Sequence, residues 1–83
     1  MADKVSKKVK NIVAKECGLA RKFVTNKTKF MDGQNISYFD CMASLWSLQH
    51  EFHVVLPESS YQKYKTVGNL TKDIIRQLKA RAK

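Results

Sequence analysis

Two hydroxyl-bearing residues stand side by side at the start of a predicted helix, in the stretch NISYFDCM at residues 35–42. Ser37 occupies an N-cap position, and Asp40 follows in the first turn, where a negative charge favours the helix dipole. A helix start also presents backbone N–H groups that can hold a phosphate. The serine hydroxyl of Ser37 or the phenol of Tyr38 is therefore the first candidate for chemistry in this chain.

Histidine and cysteine offer weaker candidates. His50 and His53 flank Glu51 at a spacing compatible with two metal ligands, but no third ligand is near in sequence, so we predict no metal site. Cys41 does not share a helix face with His50, which argues against a nucleophile–base pair in that helix. Because no acid, base and nucleophile converge, we expect that the chain is not an enzyme and has no catalytic residues.

The net charge of +9 is spread unevenly along the 83 residues. Residues 1–29 hold nine Lys or Arg against two acids, residues 30–62 hold four acids and no Lys or Arg, and residues 63–83 hold seven against one. This favours an acidic protein partner or an anionic lipid surface. Nucleic acid is disfavoured, since aromatic residues are not interleaved with the basic ones. The predicted basic face comprises Lys7, Lys8, Lys15, Lys72, Arg76 and Lys79.

Length and apolar content limit the class of protein. We expect one domain over residues 1–83, because so short a chain builds only a modest core. Apolar residues never run beyond a few in a row, so no transmembrane segment is predicted. The stretch MADKVSKKVKNIVAK lacks the apolar centre of a signal peptide. We therefore expect a cytoplasmic protein, and a monomer.

Apolar periodicity predicts an all-α domain. Three main helices are expected at about 3–17, 38–52 and 67–82, with a short helix at about 58–63. Residues 18–37 form a long first loop, and loops of that length in small domains are often functional. Because each helix carries one apolar stripe, we predict a small four-helix bundle.

Three stretches carry a recurring pattern at constant spacing. They are VKNIVAKECGLARKFVTNKTKF from residue 9, FDCMASLWSLQHEFHVVLP from residue 39, and KTVGNL from residue 65, followed by DI at 73–74. In this order they resemble the acyl carrier protein family, without gaps from about Val9 to Ile75. The resemblance implies the family's four-helix fold and a link to fatty-acid, lipid or polyketide metabolism. It also implies an acyl cavity between the helices, lined by Met42, Leu45 and Trp46.

The segment that precedes the second helix differs from the corresponding segment of the resembled family. In the resembled family, a serine at the start of the second helix carries a 4′-phosphopantetheine arm whose thiol holds the acyl chain. Gapless alignment places Tyr38 on that serine and Ser37 on the residue before it. A phenol places its oxygen further from the backbone than a serine does. We therefore predict no phosphopantetheine and no other cofactor, with attachment at Ser37 as the alternative.

The outer face of the second helix departs from the family as well. In the resembled family, acidic residues on this face bind basic patches of the partner enzymes. In this chain Asp40, Ser44, Ser47 and Glu51 are the predicted partner-recognition residues, so the acidic character is reduced. The predicted function is a carrier-like interaction module without the arm. The alternatives are a working acyl carrier that uses Ser37, and a basic nucleic-acid-binding module.

Overall fold

A computed structural model of the chain shows three α-helices around one apolar core. Helix α1 spans Ala2–Cys17, α2 spans Tyr38–Phe52 and α3 spans Val67–Arg81. Apart from an isolated antiparallel bridge between Lys29 and Thr66, the part of the chain that is described contains no strand pairing. The described residues are 2–31, 36–57, 59 and 63–81.

Helix α1 forms because its valines recur on one face. Val5, Val9 and Val13 are four residues apart, so they lie on one side of the helix and are buried there. Gly18 ends the helix with φ of 66°, a left-handed conformation that glycine adopts without a Cβ penalty. The Leu19 N–H then donates to the Ala14 carbonyl at 2.9 Å, which satisfies a carbonyl left open by the helix end.

Helices α1 and α2 run antiparallel and contact each other along their length. Near the start of α1, the Lys8 ammonium lies 2.7 Å from the Glu51 carboxylate, close to the end of α2. Near the end of α1, the Cys17 sulfur lies 3.5 Å from the Ser44 hydroxyl, in the first half of α2. These two contacts show that α2 runs opposite to α1.

The long first loop is anchored to the segment that precedes α3. The Phe30 N–H donates to the Lys65 carbonyl and the Val67 N–H to the Thr28 carbonyl, both at 2.9 Å. The Phe30 side chain is fully buried in the core. A Cβ at Gly68 would lie 2.8 Å from the carbonyl oxygen of Asn26, so the close approach of the loop to α3 requires glycine.

The three predicted main helices are confirmed, with ends within one residue of those expected. Most of the predicted short helix at 58–63 lies outside the described residues. The N-cap predicted at Ser37 is confirmed, since its hydroxyl accepts the Asp40 N–H at 3.1 Å. The Thr66 hydroxyl caps α3 in the same way, accepting the Asn69 N–H at 3.1 Å. The expected stripes of α1 and α3 are buried or half-buried, and they form the core with Val24, Leu56 and Tyr64.

Candidate functional site

The start of α2 presents two hydroxyl groups in different environments. Ser37 precedes the helix with φ of −63° and ψ of 152°, and its hydroxyl accepts the Asp40 N–H at 3.1 Å. Tyr38 is the first helical residue and is 49% exposed. Tyr38 thus presents its phenol from the first position of the helix, and Ser37 presents its hydroxyl from the position before it.

An apolar surface continues from this helix start along α2. Phe39 is 81% exposed and Trp46 is 65% exposed, and they are seven residues apart, which places them on the same side of the helix. The His50 ring contacts the Trp46 ring, with their centroids 4.3 Å apart. A surface cavity of about 310 Å³ lies beside them, lined by Trp46, Gln49, His50 and His53. Phe39, Trp46 and His50 are called the aromatic face below.

Helix α2 exposes these rings because it buries the opposite side. The buried residues are Cys41, Ser44, Leu45 and Leu48. At about 100° per residue, Phe39 and Trp46 lie roughly opposite the centre of this stripe. The core has room for one side of α2, and the side that fits against α1 is the one with small and aliphatic residues.

The prediction of an acyl cavity lined by Met42, Leu45 and Trp46 is wrong for one of these three residues. Leu45 is buried and Met42 is half-buried against the core, which agrees with an inward position. Trp46 is mostly in contact with solvent and cannot line a cavity between the helices. The expectation for Trp46 came from the family resemblance, which does not determine the side of α2 that faces the core.

The predicted partner-recognition set also needs correction, at Ser44. This residue is fully buried, and its hydroxyl donates to the Asp40 carbonyl at 2.9 Å, within its own helix. Ser47 donates to the Glu16 carboxylate at 2.6 Å, and Glu51 accepts from Lys8. Ser47 and Glu51 therefore join α2 to α1, and Asp40 is the acidic group at the helix start. The burial of Ser44 could have been predicted from the sequence, because position 44 lies between Cys41 and Leu48 on the buried stripe.

The predicted basic face lies on two helices that pack together. Lys7 and Lys15 on α1 and Lys72 and Lys79 on α3 are exposed, whereas Lys8 and Arg76 form ion pairs with Glu51 and Asp73. One surface cavity of about 440 Å³ is lined by residues of both helices, among them Ser6 and Lys72. In this cavity Lys72 of α3 lies beside Ser6 and the acidic Asp3 of α1, and none of the predicted basic residues of α1 lines it.

Sequence reasoning missed a polar cluster on α3. The Tyr64 hydroxyl donates to the Asp73 carboxylate at 2.7 Å, and Arg76 pairs with the same carboxylate. Burial raises the pKa of Asp73, but the hydrogen bonds from Tyr64 and Arg76 outweigh it and hold this pKa below its usual value. Burial and the hydrogen bond to Asp73 raise the pKa of Tyr64. The cluster fixes the segment before α3 and does not reach the aromatic face.

The chain matches no known protein-family model. Within the described ranges, no helix has both the length and the apolar character needed to cross a bilayer. The same residues contain no group of three His, Cys, Asp or Glu side chains that could hold a metal ion.

Proposed function

We propose that the protein is a non-catalytic interaction module with an acyl-carrier-like fold. It carries no phosphopantetheine arm, and it binds a partner protein on the aromatic face of α2. The exposure of Phe39 and Trp46 on one side of that helix is the observation that carries the proposal. The resemblance to acyl carrier proteins ties the module to fatty-acid, lipid or polyketide metabolism.

The aromatic face has the composition of a protein-binding surface. A single exposed apolar residue needs no explanation, but two large exposed rings lie on one side of this helix, two turns apart. Aromatic residues are enriched in interfaces, and tryptophan is among the residues that contribute most to binding. The free energy of folding gains little from rings that remain in water, which favours a role in binding.

The charge distribution indicates the chemistry of the partner. Helix α2 has no Lys or Arg and carries Asp40 and Glu51, whereas the chain as a whole carries +9. Long-range attraction by the basic ends favours an acidic protein. Desolvation of Phe39 and Trp46 requires that this protein also presents an apolar patch to α2. The expected partner is therefore an acidic protein with a local apolar surface.

The start of α2 supports the absence of the arm. A carrier needs an aliphatic hydroxyl at the helix tip, whose oxygen attacks the diphosphate of coenzyme A. Tyr38 is the first residue of α2, and its hydroxyl lies at the far end of a rigid ring. Ser37 lies outside the helix, and its hydroxyl is engaged as the N-cap.

The absence of the arm is tested by intact mass. The protein is incubated with coenzyme A, Mg²⁺ and a phosphopantetheinyl transferase of broad specificity, beside a known carrier as positive control. We expect an unchanged mass for this protein and a gain of one arm for the control. A gain of one arm on the wild-type protein would overturn the proposal.

The docking role is tested with surface variants in the native host. We expect one stoichiometric partner to co-purify with the wild type and to be lost with Phe39→Ser/Trp46→Ser. Val55→Ser is the matched control, because Val55 is also exposed, at 67%, but lies beyond the end of α2. With the purified partner, the double variant should bind at least ~30-fold more weakly, which corresponds to two contacts of about 1 kcal/mol each. Equal binding by the double variant and the control would contradict the assigned surface.

A working acyl carrier with its arm on Ser37 is the second candidate. It is favoured by the exposure of Ser37 beside the start of α2, where backbone N–H groups favour a phosphodiester. The mass experiment separates the two functions. A gain of mass that disappears in Ser37→Ala would establish the carrier function.

A further inference from the structure

An apolar crevice with a cationic rim lies where the start of α1 meets the end of α2. Its volume is about 430 Å³, and it is lined by Lys4, Val5, Lys7, Lys8 and Phe52. Val5 is buried and Phe52 is half-buried against the core, so the two side chains form an apolar floor. These five residues are called the lysine crevice below.

The crevice lies far from the start of α2. Phe52 is the last residue of α2, whereas Tyr38 is the first. A helix of 15 residues separates its two ends by roughly 20 Å at about 1.5 Å per residue. The lysine crevice is therefore distant from the candidate attachment position, and none of its lining residues belongs to the aromatic face.

The charge at the rim is not balanced by the described residues. Lys8 is paired with Glu51 at 2.7 Å. Among the residues that the structure describes, Lys4 and Lys7 make no ion pair. The methylene stems of lysine can lie along an apolar surface while the ammonium group stays in water. The crevice thus combines an apolar wall and floor with two ammonium groups that have no carboxylate partner in the described part of the chain.

The size of the crevice indicates a small ligand. A stable protein interface needs about 20–30 residues on each side, and this crevice has five. Its volume falls within the range of about 300–1,000 Å³ that is usual for small-molecule sites. An apolar floor requires an apolar body in the ligand, and the free ammonium groups require an anionic head. A carboxylate on an alkyl chain meets both requirements with one charge.

We infer that the lysine crevice binds a monomeric fatty carboxylate. The alkyl chain lies on Val5 and Phe52, and the carboxylate lies between the ammonium groups of Lys4 and Lys7. No residue of the aromatic face takes part in this site. Binding involves no covalent step.

The test uses sodium decanoate below its critical micelle concentration. Affinity is measured by isothermal titration calorimetry, and the location by ¹⁵N–¹H chemical shifts, which should move at Val5, Lys8 and Phe52. We expect Lys4→Gln/Lys7→Gln to weaken binding roughly 3- to 10-fold, which corresponds to about 0.3–0.7 kcal/mol for each of two exposed ion pairs. Hexanoate should bind at least ~10-fold more weakly than decanoate, because it buries fewer methylene groups.

The matched control is Lys10→Gln/Lys15→Gln, which removes the same charge from α1 without altering the crevice. It should weaken binding less than twofold. An equal loss of affinity in both double variants would mean that net charge alone explains the effect, and it would overturn the inference. Equal affinity for decanol and decanoate would also overturn it, because no carboxylate would then be recognised. Binding to vesicles of anionic phospholipid, without binding of decanoate, would assign the lysines to a bilayer surface instead.

Discussion

Phe39→Ser is the substitution that most directly tests the orientation of α2. Phe39 is 81% exposed, so about a fifth of a side chain of roughly 200 Å² is buried. At about 25 cal/mol per Å², this contact contributes about 1 kcal/mol to the free energy of unfolding, and less if the unfolded chain is compact. Phe and Ser have similar helix propensities, so the backbone adds little to the difference.

The comparison is with Leu48→Ala, on the opposite side of the same helix. Leu48 is fully buried, and its truncation should cost about 2–5 kcal/mol because it also leaves a cavity. Urea denaturation followed by circular dichroism gives both values. If Phe39→Ser destabilises the protein as much as Leu48→Ala does, the ring is packed in the folded protein. The assignment of the aromatic face, and the docking proposal built on it, would then be refuted.

Three further predictions concern the rest of the molecule. Tyr64→Phe should lower the free energy of unfolding by about 1.5 kcal/mol at neutral pH, because it removes a hydrogen bond to an ionised carboxylate. The pKa of Asp73 is lowered in the folded state, so the hydrogen bond makes its full contribution to stability above pH 3.8, the usual pKa of this carboxyl. The contribution declines as the pH falls through the folded-state pKa of Asp73. Urea titrations at several pH values should show the gap between wild type and variant narrowing in acid, and a constant gap would contradict the role of Asp73. Arg81→Ala should lower the free energy of unfolding by about 1–2 kcal/mol in the same assay, because Arg81 donates to the Phe52 and His53 carbonyls at the end of α2, at 2.7 and 2.6 Å. Arg81→Lys should recover part of this loss. An unchanged stability of the alanine variant would refute the capping role. Any binding to duplex DNA should fall steeply between low and physiological salt, as measured by fluorescence anisotropy, and binding that survives physiological salt would favour the nucleic-acid alternative.

Local regularities of the chain were enough to predict the helices. The valine stripe of α1, Gly18 after it, and the capping hydroxyls of Ser37 and Thr66 act within one or two turns, so their effect can be read without knowing the fold. Phe30 is an apolar residue between turn-forming segments of the long loop, and its side chain is buried.

The site could not be predicted to the same degree, because it depends on which side of α2 meets α1. Apolar and small residues surround much of that helix, so periodicity alone allows more than one orientation. The side that carries Ser44 meets α1 at Cys17, and a small hydroxyl that bonds to its own backbone can be buried there without loss. The large rings of Phe39 and Trp46 were thereby left in solvent.

The lysine crevice shows the same division between local and long-range effects. The chain's charge pattern shows that α1 is rich in lysine and that Phe52 ends the apolar stripe of α2. Their meeting depends on the antiparallel packing of two helices whose contacting residues are more than forty positions apart, as the pair of Lys8 and Glu51 shows. Contacts of this separation leave no periodic signal in a sequence, because they form only when the core has brought the helices together.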